Sequence, residues 1–177
     1  MTEVIIPLPI FEEAAVALRE KGAFSKQLTS QELGQMMSSV VKSLLAGQNA
    51  VRATVPTMDV RIERSKGTVA GAVQVESPIK ATIKLNCVLG NDTASQGIRL
   101  ENLDIQQEAS FLAKATLKAA NIDGQARKLL KDPNQALGDA LDKQLRPRGV
   151  ELTGIGLHFQ ENTLGVSLSG NPIAPRR

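Results

Sequence analysis

The sequence predicts an α+β fold: a curved antiparallel sheet wrapped around a long amphipathic helix, with further C-terminal helices and a closing hairpin. Three observations carry that expectation. Residues 57–89 alternate apolar and polar side chains in three consecutive runs. The apolar phase is Met58, Val60 and Ile62, then Val69, Gly71, Val73 and Val75, then Ile79, Ala81, Ile83, Leu85, Cys87 and Leu89. Asp59, Arg61, Glu63, Lys80 and Lys84 occupy the opposite phase. Period two sends alternate residues to opposite faces, so the runs predict a meander with one apolar face and one wet face. Just before it, Leu33, Met36, Met37, Val40, Val41, Leu44 and Leu45 recur at helical spacing. That stripe is wide enough to lie in a concave sheet. After the meander come helical patterns and a second strand pair, Val150 to Leu168.

Taken in order, residues 1–9 hold Val4, Ile5, Ile6 and Leu8 together with Pro7 and Pro9 and read as an extended arm. Phe11, Ala14, Ala15 and Leu18 have helical spacing, with Gly22 as the stop. Thr29 and Glu32 form a capping box, and Leu28 with Leu33 forms a hydrophobic staple, so a helix starts at Ser30 and ends at Gly47. Val51 to Val55 opens the sheet, and Arg64 to Gly67 is a hairpin turn with Gly67 free to take positive φ. Thr93 to Gly97 reads as a loop. Beyond it the alternation of Ile98 and Leu100 slips by one residue at Leu103 and Ile105, which predicts a bulge near Glu101-Asn102.

Ala109 to Leu130 places Phe111, Leu112, Ala115, Ala119, Ile122, Ala126, Leu129 and Leu130 on one helical stripe, interrupted at Asn121 to Gly124. It reads as one kinked helix or as two. Asp132 caps a further helix with Pro133 in its first turn; Leu137, Leu141 and Leu145 share its face until Pro147 and Gly149. The closing hairpin turns at Glu161 to Thr163, with an irregularity at Gly154 to Gly156 and a frayed tail from Gly170. All of this reads as one domain over 1–177, with 1–27 as arm and short helix and 171–177 as a flexible tail. A chain of this length buries about 70% of its unfolded surface.

Composition narrows function. Hydrophobic residues make up 42% of the chain but aromatic ones only 2%, with no Trp and no Tyr. Stacking platforms for single-stranded nucleic acid or sugars depend on such rings, so specific nucleic-acid recognition is not expected. The net charge is +3. Residues 114–148 hold eight cations and four anions, so this stretch carries +4 and the remainder −1. Lys114, Lys118, Arg127, Lys128 and Lys131 are placed to face an anionic membrane surface, or are simply the solvated faces of helices. The single cysteine, Cys87, excludes an internal disulfide and shares the apolar phase of its strand. The amino end lacks the pattern of a secretory signal. The chain as it stands reads as cytoplasmic, or as periplasmic or envelope-facing if a leader has been removed.

No catalytic, metal or cofactor site is expected. His158 is the only histidine and alternates away from Leu157 and Phe159, so it points to solvent without a catalytic partner. Glu101, Asp104 and Glu108 lack the spacing of a calcium loop, and Gly154 with Gly156 lacks the remainder of a phosphate loop. Asn91-Asp92-Thr93 fits the glycosylation pattern, which matters only in a secretory compartment. The most informative apolar feature is Met36-Met37, because methionine lets a surface repack around guests of varied shape. The plain alternative is that both fill core gaps.

Two stretches bear a family likeness: Leu28-Thr-Ser-Gln-Glu-Leu33 with its apolar continuation to Leu45, and the run from Ala136 through Leu141, Val150 to Leu152 and Gly156 to Phe159, ending at Leu164 to Gly170. In these, and in the order of capped helix, meander, helix and hairpin over residues 28–170, the chain resembles small bacterial members of the tubular lipid-binding (TULIP-like) superfamily. The resemblance implies non-enzymatic binding of lipid or another apolar ligand along the helix, and no catalytic residues. The expected lining is Leu33, Met36, Met37, Val40, Val41 and Leu44 on the helix, opposite Ile83 and Leu85. The alternative is a protein-interaction or scaffolding module with a fully packed core.

Overall fold

In a computed structural model, residues 8–46, 52–77, 80–111, 114, 124, 127–128 and 131–174 are described. The chain is α+β, and its strands form two antiparallel sheets. Helix α1 (Pro9–Lys21) leads into strand β1 (Ala23–Leu28) and helix α2 (Ser30–Ala46). The meander follows as β2 (Arg52–Glu63), β3 (Lys66–Ser77), β4 (Ala81–Asp92) and β5 (Gly97–Ala109). Helix α3 (Pro133–Leu145) and one 3-10 turn (Arg146–Arg148) precede β6 (Val150–Phe159) and β7 (Leu164–Pro172). The small sheet has the order β1-β7-β6 and the large one β2-β3-β4-β5.

Local signals set most of the element ends. Thr29 Oγ1 accepts from the Glu32 amide at 3.2 Å while the Glu32 carboxylate accepts from the Thr29 amide at 2.9 Å, which completes the capping box. Those contacts, the Thr29 amide first, hold the Glu32 carboxyl below the usual carboxylate range. Leu28 and Leu33 are both buried, as a staple requires. Gly22 takes φ +69 and its amide returns to the Leu18 carbonyl, ending α1 with the left-handed residue that only glycine adopts cheaply. Asp132 caps α3 by accepting from the Gln135 amide at 3.0 Å. The bulge stands where the alternation slips: Val88 pairs with Asn102 and Leu89 with Leu100, leaving Glu101 as the extra residue.

Several expectations need correction. The helix begins at Pro9, two residues ahead of Phe11; proline suits a first turn, where its missing N–H is not needed. Strand β1 was not anticipated, yet Ala23 to Leu28 pairs with β7 from Ser169 to Leu164. Gly170 belongs to β7, is buried, and pairs with Leu152. The β2–β3 turn has positive φ at Arg64 and Ser65, the two-residue pattern whose twist matches that of the strands. Gly67 is instead an in-strand residue paired with Ile62 and Leu89. A Cβ there would stand 2.6 Å from the Phe159 ring, so the glycine makes room for an aromatic from the other sheet. Phe111, expected on an apolar stripe, is 86% exposed. Most of the predicted helix from Ala109 to Leu130 lies outside the described residues, as do Met1 to Pro7.

The two sheets meet at one end of the meander. Asn91 Nδ2 donates to the Phe159 carbonyl at 2.9 Å and Asn91 Oδ1 accepts from the Phe159 amide at 2.6 Å. Asn134, in the first turn of α3, does the same to Ile98: its Oδ1 accepts from the amide at 2.8 Å and its Nδ2 donates to the carbonyl at 2.7 Å. Each side-chain amide stands in for the peptide of an adjacent strand, satisfying buried backbone groups that would otherwise cost free energy. The Arg64 amide adds a bond to the Glu161 carbonyl at 3.1 Å, tying one hairpin turn to the other. Around this junction lies the main core, with Phe11, Leu18, Leu28, Leu145, Leu157 and Phe159 among its largest members.

Candidate apolar ligand site

Register places the apolar face of the meander in rows that cross all four strands. Nearest the junction, Ile62, Gly67, Leu89 and Leu100 stand side by side, followed by Val60, Val69, Cys87 and Leu103. Six of these eight are buried, with Val69 at 0% and Cys87 at 1% exposure. The next row is Met58, Gly71, Leu85 and Ile105, and all four are only partly buried. So are Val73, Ile83 and Gln107 in the row beyond. Burial returns at Val75 and Ala81, which form a second, small cluster with Ile83 and Ala109 packed against it.

The apolar face is therefore sealed at both ends and half-open across its middle. Strand alternation puts these residues on one face; Gly71, without a side chain, leaves the middle of the belt low. The opposite face is wet, with Asp59, Arg61, Thr68, Lys84, Asn86 and Asp104 exposed. Helix α2 approaches from the β2 side: a Cβ at Gly34 would stand 3.4 Å from the Met58 carbonyl, and Ser30 Oγ accepts from the Ile62 amide at 3.2 Å. The small residue lets helix and strand backbones pack closely.

The structure divides the residues expected to line a site. Ile83 and Leu85 fall in the belt. Met37 is half-buried against the main core. Leu33 and Met36 are sealed within that core at 3% and 2% exposure. The side chains of Val40, Val41 and Leu44 lie outside the described residues. Met58, Gly71, Val73, Ile105 and Gln107 were not singled out as site residues, because alternation shows a face but not which rows of it stay open.

Titratable chemistry at the belt is sparse. Burial pushes the Cys87 thiol up to about 11, against the weaker opposing effect of a backbone contact with Val69, so it is a protonated, inert thiol at neutral pH. Glu101, at the bulge, is held below the usual range first by its hydrogen bond from Lys66 and then by Arg99. Among the described residues, no group of His, Cys, Asp and Glu is arranged to hold a metal ion, and no helix is long and apolar enough to cross a membrane. His158 is exposed, as its alternation predicts. No family model matches the chain, and no curated protein or solved structure does so either.

Proposed function

We propose that the protein binds a lipid or another apolar ligand, without catalysis, across the half-open belt of its meander. One observation carries this reading: two rows of partly exposed aliphatic residues lie between two buried clusters on a single apolar face, with Met58 and Leu85 touching the larger cluster and Ile83 the smaller. Met37 and Met58 at its α2 side are unbranched and polarisable, suited to guests of varied shape. Burying ten methylenes at about 0.8 kcal/mol each gives roughly 8 kcal/mol before ordering costs, enough for a micromolar carrier. The likeness to tubular lipid-binding proteins, with a sheet curved round a long helix, belongs to the same proposal.

The source of the ligand in this reading is an anionic membrane surface. Lys114, Arg127, Lys128 and Lys131 are helical and exposed, and Phe111 stands exposed one turn before Lys114; Lys118 lies outside the described residues. Cations beside an exposed ring suit a headgroup layer. A second reading, a protein-interaction module, draws on the outer face of α1. There Val16, 42% exposed, and Ala17 form a shallow apolar groove edged by Glu12, Glu13, Glu20 and Lys21.

Native mass spectrometry followed by organic extraction tests the carrier reading. The expected result is co-purified or added lipid at defined stoichiometry, lost in a folded Leu85→Asp variant. A wild-type protein that takes up no lipid, or a folded Leu85→Asp variant that retains it, would move the search to the α1 groove.

A further inference from the structure

Helix α1 packs through the face that carries Phe11, Ala14, Ala15 and Leu18, all buried. Its two flanks meet different neighbours. On one, the Glu12 carboxylate accepts from Arg148 Nε at 2.6 Å, in the turn that follows α3. On the other, Glu13 pairs with Lys26 of β1 at 3.2 Å. Ala17 and Lys21 follow Glu13 at four-residue steps, so the three form one stripe on the β1 side of the helix. Glu13 and Lys21 are exposed, Ala17 is half-buried, and Val16 stands 42% exposed alongside. Among the described residues β1 is the outer strand of the small sheet, at the opposite end from β6. The Gly170 amide donates to the Gly22 carbonyl at 3.2 Å. Antiparallel pairs alternate from there, so Phe24, Lys26 and Leu28 exchange bonds with β7, while the amides and carbonyls of Ala23, Ser25 and Gln27 are directed outward.

We propose that this flank joins two copies of the chain about a twofold axis, β1 against β1 and α1 against α1. The occupant follows from self-complementarity, which an isologous contact requires. A stripe ordered Glu13, Ala17, Lys21 meets its own antiparallel copy with each glutamate opposite a lysine, and with alanine opposite alanine at the centre. In β1, Ser25 opposite Ser25 sets Ala23 opposite Gln27 and Phe24 opposite Lys26, so no like charges face each other. One axis serves both registers: counted from Gly22, Ser25 lies about 10 Å along the strand and Ala17 about 8 Å along the helix. Lys26, the charge that would ordinarily guard such an edge, is drawn to Glu13 and Glu32 of its own chain. The inference names the partner of the α1 groove and uses none of the belt residues, so it stands or falls without the carrier reading.

Sedimentation velocity of the full chain, from low micromolar to submillimolar concentration, tests it. Wild type is expected to pass from monomer to dimer. Lys21→Glu should raise the dimer Kd roughly tenfold, because two exposed ion pairs give way to two like-charge contacts. Glu13→Lys combined with Lys21→Glu should recover most of that loss, since the charges exchange places and remain opposite. Ser25→Pro removes an outward amide that β7 does not use, so it should keep the monomer fold by circular dichroism and abolish the dimer. A wild type that stays monomeric, a dimer indifferent to Lys21→Glu, or a double variant no stronger than Lys21→Glu alone overturns the proposal. So does a folded Ser25→Pro that dimerises like wild type; if that variant does not fold, the charge exchange decides alone.

Discussion

The two ends of the meander use the same alternating pattern for different purposes. At the junction end, Val69, Cys87 and Ile62 are closed under α2 and the small sheet, and Asn91 fastens β4 to Phe159 with two hydrogen bonds. A few residues further along the same strands, Leu85, Ile83 and Val73 remain half-buried. Sequence chemistry barely differs between the two, since both rows are aliphatic. Among the described residues, what differs is the partner: one end has a second sheet and α3 packed against it, the other a small cluster around Val75 and Ala81. Burial is thus densest at the junction, and in the proposed function the half-buried belt is the part that meets a guest.

That contrast is broken most severely at Gly67. A Gly67→Ala substitution sets a methyl against the Phe159 ring at 2.6 Å, at a buried position. We expect a loss of about 3 kcal/mol, at the upper end of overpacking costs, read as a shift in the urea midpoint. Next is Asn91→Ala, which strands the amide and carbonyl of Phe159. The expected loss is about 2 kcal/mol by the same measurement. A loss below about 0.5 kcal/mol for either would show that the junction is not the stabilising half.

Cys87 offers a comparison by pH. Its folded-state pKa is raised to about 11 from 9.0, so its stabilising effect is complete below about 9 and is lost as pH rises towards 11. The loss is on the order of 2 kcal/mol. Wild type should therefore fall towards a Cys87→Ala variant in urea stability between pH 9 and 11. A difference that stays constant across that window would mean the thiol is less enclosed than its row implies. The smallest effect belongs to the belt itself. Leu85→Ala should cost about 1 kcal/mol or less, well under the usual range for a sealed leucine, while ligand affinity drops markedly.

Legibility followed the range of the interactions. Caps, helix faces, strand alternation and the bulge at Glu101 are set by residues within a few positions of one another, and each could be read from Thr29, Glu32, Asp132 or the slip between Leu100 and Leu103. Strand β1 escaped notice because its alternation is carried only by Phe24 and Leu28 among polar neighbours, and its partner stands some 140 positions away, Ser25 opposite Ser167. Gly67 looked like a turn glycine because its reason, the Phe159 ring, is equally remote. The belt needed register: only when Met58, Gly71, Leu85 and Ile105 are known to stand in one row does their shared partial exposure become visible. Gln107 was hidden by its polarity, which suggests the wet face until its pairing with Ile83 is known.

The absence of native Trp and Tyr makes a single introduced tryptophan the most direct probe of which face takes the ligand. Emission from Leu85→Trp should shift or quench on addition of 1-dodecanol, while Asn86→Trp, one residue along and on the wet face, stays unchanged. Equal responses at both positions, or no response at Leu85→Trp while dodecanol is bound, would contradict the belt as the binding site.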